Sequence, residues 1–209
     1  MEVFIRLLDK VQESSSMYKQ NTPNKAIQII AANDRHDEVL GLMREYVDWL
    51  MENDEWMGEV LANQHLEDEV ADFNTKYAPP EGRLYLALVD GEPAGCIGLT
   101  NITEQSQESD MANISDQISE TAYTTNGPLF ICEGKRLFVR PKFRGYKLGK
   151  QLMDLIIADA KEIGYKYMRL DSFPFMTSAV RMYDYYGFYP IGNYCGNPSP
   201  NAIFRELKL

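Results

Sequence analysis

The chain has 209 residues, 44% hydrophobic and 25% charged, with a net charge of −10. That is the make-up of one ordinary globular unit with a sizeable core, and no apolar run approaches the ~20 residues a membrane span needs. Three cysteines without pairing or metal spacing and only two histidines argue against a disulfide scaffold and a metal cluster. With acids early in a poor signal sequence, they point to a reducing, cytoplasmic setting.

Residues 1–20 read as a short amphipathic helix on Val3, Leu7, Leu8 and Val11, an N-terminal extension ahead of a single domain over 21–209. The first strand spans Lys25 to Ala32, and Asn33 or Asp34 caps the helix carrying Leu40, Met43, Val47 and Leu50. A second helical stretch runs from Glu59 to Asn74, and Ala78-Pro-Pro-Glu-Gly82 breaks the chain. Arg83–Val89 alternates as a strand, Asp90-Gly91 signals a hairpin, and Ala94–Thr100 is its partner. Residues 101–128 are polar and acidic without strong periodicity, an insertion that reads as a lid over a site, as a disordered surface loop or as an oligomer contact.

Charge is divided unevenly. Residues 1–128 carry 8 basic and 24 acidic residues, whereas residues 129–209 carry 13 basic and 7 acidic ones. A basic half suits a polyphosphate ligand, and the acidic half either steers a cationic acceptor or only keeps the protein soluble. The basic patch is too small to suggest nucleic acid.

The stretch from Cys132 to Ile163 organises the rest. Arg136-Leu137-Phe138-Val139 is strand-like, and Leu148, Leu152, Leu155, Ile156 and Ile163 share one face of a helix. Between them lie Arg140, Lys142, Arg144, Lys147 and Lys150, with no acid from Gly134 to Met153. A helix start offers unpaired N–H groups and the positive end of the macrodipole, so with these cations and Gly145 it suits a phosphorylated ligand. Gln151 after Gly149-Lys150 excludes a nucleotide-hydrolase P-loop, and two glycines are too few for the dinucleotide fingerprint.

Arg144-Gly-Tyr-Lys-Leu-Gly149 resembles the Arg/Gln-x-x-Gly-x-Gly/Ala loop of the GNAT acetyltransferase superfamily, with Lys147 in place of the middle glycine. Ala179-Val-Arg-Met-Tyr183-Asp-Tyr-Tyr-Gly187-Phe188 resembles the family's later motif, and Gly187 suits the left-handed end of a helix. The resemblance is close over about the last 80 residues and extends to the rest by its pattern of elements. It implies an α/β fold, the GNAT fold, with a central mixed, mostly antiparallel twisted sheet of six to seven strands, flanked by helices and splayed between strands four and five. It also implies an acetyl-CoA-dependent N-acetyltransferase.

The cofactor would lie on Leu137, Phe138, Val139, Arg144, Gly145, Tyr146, Lys147, Leu148, Gly149 and Lys150. Leu137 and Val139 would serve through backbone groups on the splayed strand. Acetyl transfer needs an amine to lose a proton and a thiolate to gain one. Glu133, 11 residues before Arg144, stands where some relatives carry a glutamate base, and Tyr183 matches the tyrosine that donates toward sulphur. Met176 departs from an asparagine that many relatives use on the cofactor. Cys132 reads as packing rather than as a nucleophile, and His36 or His65 as bases are weaker readings.

The expected acceptor is a primary amine of a small molecule, attacked directly in a ternary complex. A peptide N-acetyltransferase and a non-catalytic acyl-CoA-binding or regulatory domain are the alternatives. Neither a nucleic-acid nor a membrane partner is expected, and a homodimer is left open.

Overall fold

The computed structural model describes residues 25–32, 34–64, 66–71, 73–103, 123–124, 127–128 and 130–209. The expected N-terminal helix, His65 and most of the 101–128 insertion lie outside these residues.

The fold begins from an antiparallel hairpin. Strands β2 (Arg83–Val89) and β3 (Glu92–Asn101) are joined at Asp90 and Gly91, whose φ values of 53° and 81° are the pair a tight two-residue hairpin requires. Strand β1 (Ile27–Ala31) pairs antiparallel with β2. On the other side, β3 pairs antiparallel with β6 (Ile131–Val139). β6 then meets β7 (Tyr167–Ser172), β9 (Ile203–Lys208) and β8 (Tyr189–Ile191), in the order β1-β2-β3-β6-β7-β9-β8. Only the β6–β7 contact in this sheet is parallel. The seven-stranded mixed sheet is the one expected. Its end differs in detail, because the chain after Phe188 forms two antiparallel strands rather than one. A further small hairpin, β4 (Tyr123–Thr124) with β5 (Gly127–Pro128), lies inside the polar insertion.

Helix α1 (His36–Asn53) covers one face of the sheet. Val39, Leu42 and Met43 pack there with Leu84, Leu86 and Phe138. The single helix expected over Glu59–Asn74 is instead three short ones, α2 (Met57–Asn63), α3 (Leu66–Ala71) and α4 (Phe73–Lys76). The first break follows where Asn63 and Gln64 turn their amides outward to Gly196 O and Asp171. The change of direction brings Glu69 of α3 down onto the sheet, where it is buried. Tyr77 then lies flat on Gly98, where a Cβ would stand 2.4 Å from its ring, so only glycine fits.

The opposite face belongs to α5 (Leu148–Ile163). Leu148, Leu152, Met153 and Ile156 are fully buried against Ile97, Leu99, Cys132 and Met168, while Leu155 and Ile163 are half-buried. Each such side chain contributes roughly 1.5–3 kcal/mol. Helix α6 (Thr177–Tyr186) ends at Gly187 in the left-handed region (φ 83°), where Phe188 N–H closes onto Tyr183 O at 3.0 Å. Among the described residues no helix is long and apolar enough to cross a membrane.

Candidate active site

Two features of β6 open a site in the middle of the sheet. The first is a splay. β6 and β7 pair only at Ile131–Tyr167, Cys132–Met168 and Glu133–Arg169. From Gly134 onward the β7-facing edge of β6 has no ladder partner, which leaves backbone donors and acceptors for a ligand. The second is a bulge. Cys96 pairs with Phe138 and Gly98 with Lys135, so Arg136 and Leu137 together oppose Ile97. Arg136 takes a left-handed φ of 58°, which costs a non-glycine residue roughly 1–2 kcal/mol.

Side-chain packing offsets that cost. Arg136 Nε and Nη2 donate to Glu69 Oε1 and Oε2 at 2.8 and 3.1 Å. Glu69 also accepts from Lys76 Nζ at 2.6 Å and from Tyr77 Oη at 2.8 Å. Burial alone would raise the Glu69 carboxyl, but the Arg136 guanidinium, with Lys76 and Lys135, outweighs it and holds the pKa down at about 2.

The loop after β6 makes the phosphate end. A 3₁₀ turn at Pro141–Phe143 leads to Gly145, whose φ of 99° favours glycine, and Lys147 caps α5 at φ 58°. Lys147 thus holds the left-handed conformation a glycine would adopt freely at this position. No side chain caps the helix and no acid stands in its first turn. The N–H groups of Leu148 and Gly149 have no acceptor among the described residues. Arg144 lies with its guanidinium carbon 5.9 Å from the Trp49 ring centroid.

Not every cation of the sequence motif faces this loop. Arg140 is bound to Glu45 and to Pro93 O, both at 2.6 Å, and Lys142 to Glu92. Lys150 pairs with Asp154 at 2.8 Å. Glu45 and Glu92, from the acidic half of the chain, therefore serve to hold Arg140 and Lys142.

Two adjoining cavities follow the splay. The outer cleft, of about 340 Å³, is lined by Leu137, Phe138 and Val139, by Arg144, Gly145, Lys147, Leu148 and Gly149, and by Trp49 of α1 and Met182 of α6. Tyr146 and Lys150 do not line it. Tyr146 turns toward Lys25, whose Nζ is 5.6 Å from its ring centroid. Free amides at a helix start, two cations and a slot along an unpaired strand fit the pyrophosphate and the amide-bearing arm of coenzyme A.

The inner cavity, of about 60 Å³, shares Tyr46, Leu137, Met176 and Ala179 with the outer one. It adds Tyr183, Lys135, Arg136, Asp171 and Ser172. Burial pushes the Tyr183 phenol well above its ordinary value, so it stays protonated. Met176 stands at the junction of the two cavities, with Ser172 Oγ donating to its sulphur at 3.3 Å.

Glu133 is buried and lines neither cavity. Its Oε1 accepts from Tyr194 Oη at 2.6 Å and its Oε2 binds Lys135 Nζ at 3.1 Å. Burial works against the charge on Lys135, yet the carboxylates of Glu133, Asp171 and Glu69 together outweigh it and the lysine pKa is raised. Cys132 lies in the α5-side core with its thiol against Tyr167 O at 3.4 Å, and burial pushes that thiol up, away from thiolate. Sequence reasoning missed Trp49, Tyr46 and Asp171. No local pattern marks them, because only the fold brings α1 and the end of β7 to the splay.

The Acetyltransferase (GNAT) family model matches residues 43–188. An uncharacterised N-acetyltransferase of Dictyostelium discoideum is 31% identical over 88% of this chain and 99% of its own length. One from Schizosaccharomyces pombe is 31% identical over 83% of this chain and 88% of its own. Among solved structures, an acetyltransferase from Streptococcus agalactiae aligns with a TM-score of 0.59 at 17% identity, covering 90% of this chain and 99% of that one. The PaiA N-acetyltransferase of Thermoplasma acidophilum, solved with coenzyme A, aligns at 0.56 and 17%, covering 88% and 99%. At such identities these two structures speak for the fold. Loop, splay and family match agree, and the chain belongs to the GNAT family of acetyltransferases, enzymes that transfer an acyl group from an acyl-CoA.

Proposed function

We propose that this protein transfers the acetyl group of acetyl-CoA to a primary amine of a small molecule, by direct attack in a ternary complex. The observation that carries the reading is the junction of the two cavities at Leu137, Met176 and Ala179. On one side of it a helix-start loop with open amides and an unpaired strand edge line the outer cleft, and on the other a protonated, buried tyrosine lines the inner cavity. Acetyl-CoA supplies an activated acyl group as a thioester.

In this account the acyl-CoA lies in the outer cleft, held by the amides of Leu148 and Gly149 and by Arg144 and Lys147. The acceptor enters the inner cavity, whose small volume favours a metabolite over a peptide. The amine nitrogen, once it has lost its extra proton, forms a bond to the carbonyl carbon, and the oxygen charge is met by backbone N–H of the bulged strand. The C–S bond then breaks, Tyr183 gives its proton to the leaving sulphur, and the proton lost by the adduct's nitrogen restores the phenol.

Asp171 is the carboxylate that lines the inner cavity among the described residues, and it takes up the acceptor's ammonium. Glu133 acts at one remove, by fixing Lys135. The direct test is the mass of the product formed from acetyl-CoA and a panel of small amines and lysine peptides. An N-acetylated amine is expected, and tight acetyl-CoA binding without any acetylated product would point to a binding domain instead.

A further inference from the structure

The inner cavity carries more charge than a plain amine requires. Lys135 and Arg136 stand side by side at the bulge and both line it, with side chains only 11% and 7% exposed. An ammonium has three N–H donors. Lys135 has one ionic partner among the described residues, Glu133 Oε2 at 3.1 Å. Arg136 gives Nε and Nη2 to Glu69, and its Nη1 has no acceptor among the described residues. The acids behind these cations are already engaged, for Glu133 and Glu69 use both carboxylate oxygens.

Asp171 differs. Its Oδ2 accepts the amides of Gln64 and Asn197 at 3.0 and 2.9 Å, and no donor among the described residues reaches Oδ1. Two residues that line the cavity therefore carry unfilled cationic donors, and a third carries an open carboxylate oxygen. Leu50, Met57, Val60 and Leu61 make the remainder apolar.

We propose that the acceptor is a small aliphatic amino acid, or a molecule with the same closely spaced amine and carboxylate. The carboxylate meets Lys135 and Nη1 of Arg136, the ammonium meets Oδ1 of Asp171, and a short side chain lies on the apolar wall. This rests on the acetyl-transfer reading and specifies its acceptor. The carboxylate is unchanged in the reaction. The ammonium gives one proton to solvent before attack, the C–N bond forms and the C–S bond breaks. A second proton, lost by the adduct's nitrogen, makes good the one that Tyr183 gives to the leaving thiol.

The test is thiol release from saturating acetyl-CoA with matched acceptors: alanine against ethylamine, valine against isobutylamine, leucine against isopentylamine, with a polyamine alongside. The amino acid of at least one pair is expected to exceed its partner in kcat/KM by ~100-fold, since a site built to bind a polar group rejects the analogue that lacks it. The double variant Lys135→Met/Glu133→Gln removes both charges together. It is expected to bring that ratio within ~10-fold through a higher KM for the amino acid. A measurement free of folding effects is inhibition of the wild-type enzyme by propionate and isovalerate, expected to be competitive with the amine. Equal use of amines with and without a carboxylate, or no carboxylate inhibition, overturns this inference and leaves acetyl transfer standing. An unchanged ratio in a folded double variant that still binds acetyl-CoA does the same. No turnover of any amine overturns the underlying reading.

Discussion

Arg136 and Glu69, 67 residues apart, meet as a buried fork, two hydrogen bonds of 2.8 and 3.1 Å between a guanidinium on the sheet and a carboxylate on a short helix. The fork stands at the bulge that offsets β6 from β3, and Arg136 holds it in a conformation that few arginines adopt. Removing the carboxylate leaves a buried guanidinium without its counter-charge. Glu69→Ala should therefore cost about 3–5 kcal/mol of stability, read from urea unfolding. It should also lower kcat/KM, because the strand edge that faces the acyl group loses its anchor.

The same pair predicts acid sensitivity. The Glu69 carboxyl is held down at about 2 in the folded chain, below its ordinary value of 4.5. A depressed carboxyl stabilises the fold above its unfolded pKa, and the contribution is lost as pH falls through the window from about 4.5 to 2. Linkage puts the full loss at about 3 kcal/mol. Unfolding free energies measured from pH 7 down to pH 3 should decline more steeply in the wild type than in Glu69→Gln, which has no carboxyl to titrate.

Lys147 trades backbone comfort for charge. It sits at φ 58°, and its side chain is exposed beside the outer cleft. Lys147→Gly should leave stability unchanged or raise it by up to ~1 kcal/mol, since glycine adopts this conformation without strain. A β-branched residue there, as in Lys147→Val, should lower it by ~1–2 kcal/mol. Both variants should bind acetyl-CoA more weakly than wild type at low salt, with the gap closing as salt screens the lost charge. Thermal melts and calorimetry at two ionic strengths check this.

Trp49 is one of two tryptophans, and it lines the outer cleft beneath Arg144. Binding of coenzyme A should change the tryptophan fluorescence. In Trp49→Phe that change should vanish while the protein remains folded, and affinity should fall by ~0.5–1 kcal/mol through a weaker cation–π contact and lost ring area. A fluorescence response that survives the substitution would place the ligand elsewhere.

Much of this architecture can be read before any coordinates, and the reasons are local. Asp90-Gly91 between alternating strands defines a hairpin from two residues, and Gly187 after a helical stretch defines a left-handed stop. The loop from Arg144 to Gly149 is likewise contiguous, so its helix start and its unpaired amides follow from a short string. What stays hidden is set by distant partners. Nothing around Arg136 announces a left-handed arginine, because Glu69 on another element holds it there. Arg140 and Lys142 look like phosphate ligands in sequence, yet Glu45 and Glu92 claim them. Glu133 stands on the expected strand, but Tyr194 and Lys135 occupy its oxygens, and Tyr194 comes from a loop 61 residues later. The one long helix expected over 59–74 shows the same limit. Its apolar spacing is helical throughout, but the pull of Asn63, Gln64 and Glu69 toward separate partners divides it.

The central claim is acetyl transfer at the splay, with Tyr183 as the proton donor to the leaving thiol. The measurement that meets it most directly is the initial rate of thiol release from acetyl-CoA with the best acceptor amine, in wild type and in Tyr183→Phe. The account predicts a fall in kcat of ~10²–10⁴-fold with acetyl-CoA affinity retained, because the phenol group is lost while the ring still packs on Phe188. Unchanged kcat in a folded Tyr183→Phe protein would contradict the role assigned to this tyrosine, and an absence of amine-dependent thiol release in the wild type would contradict the reaction itself.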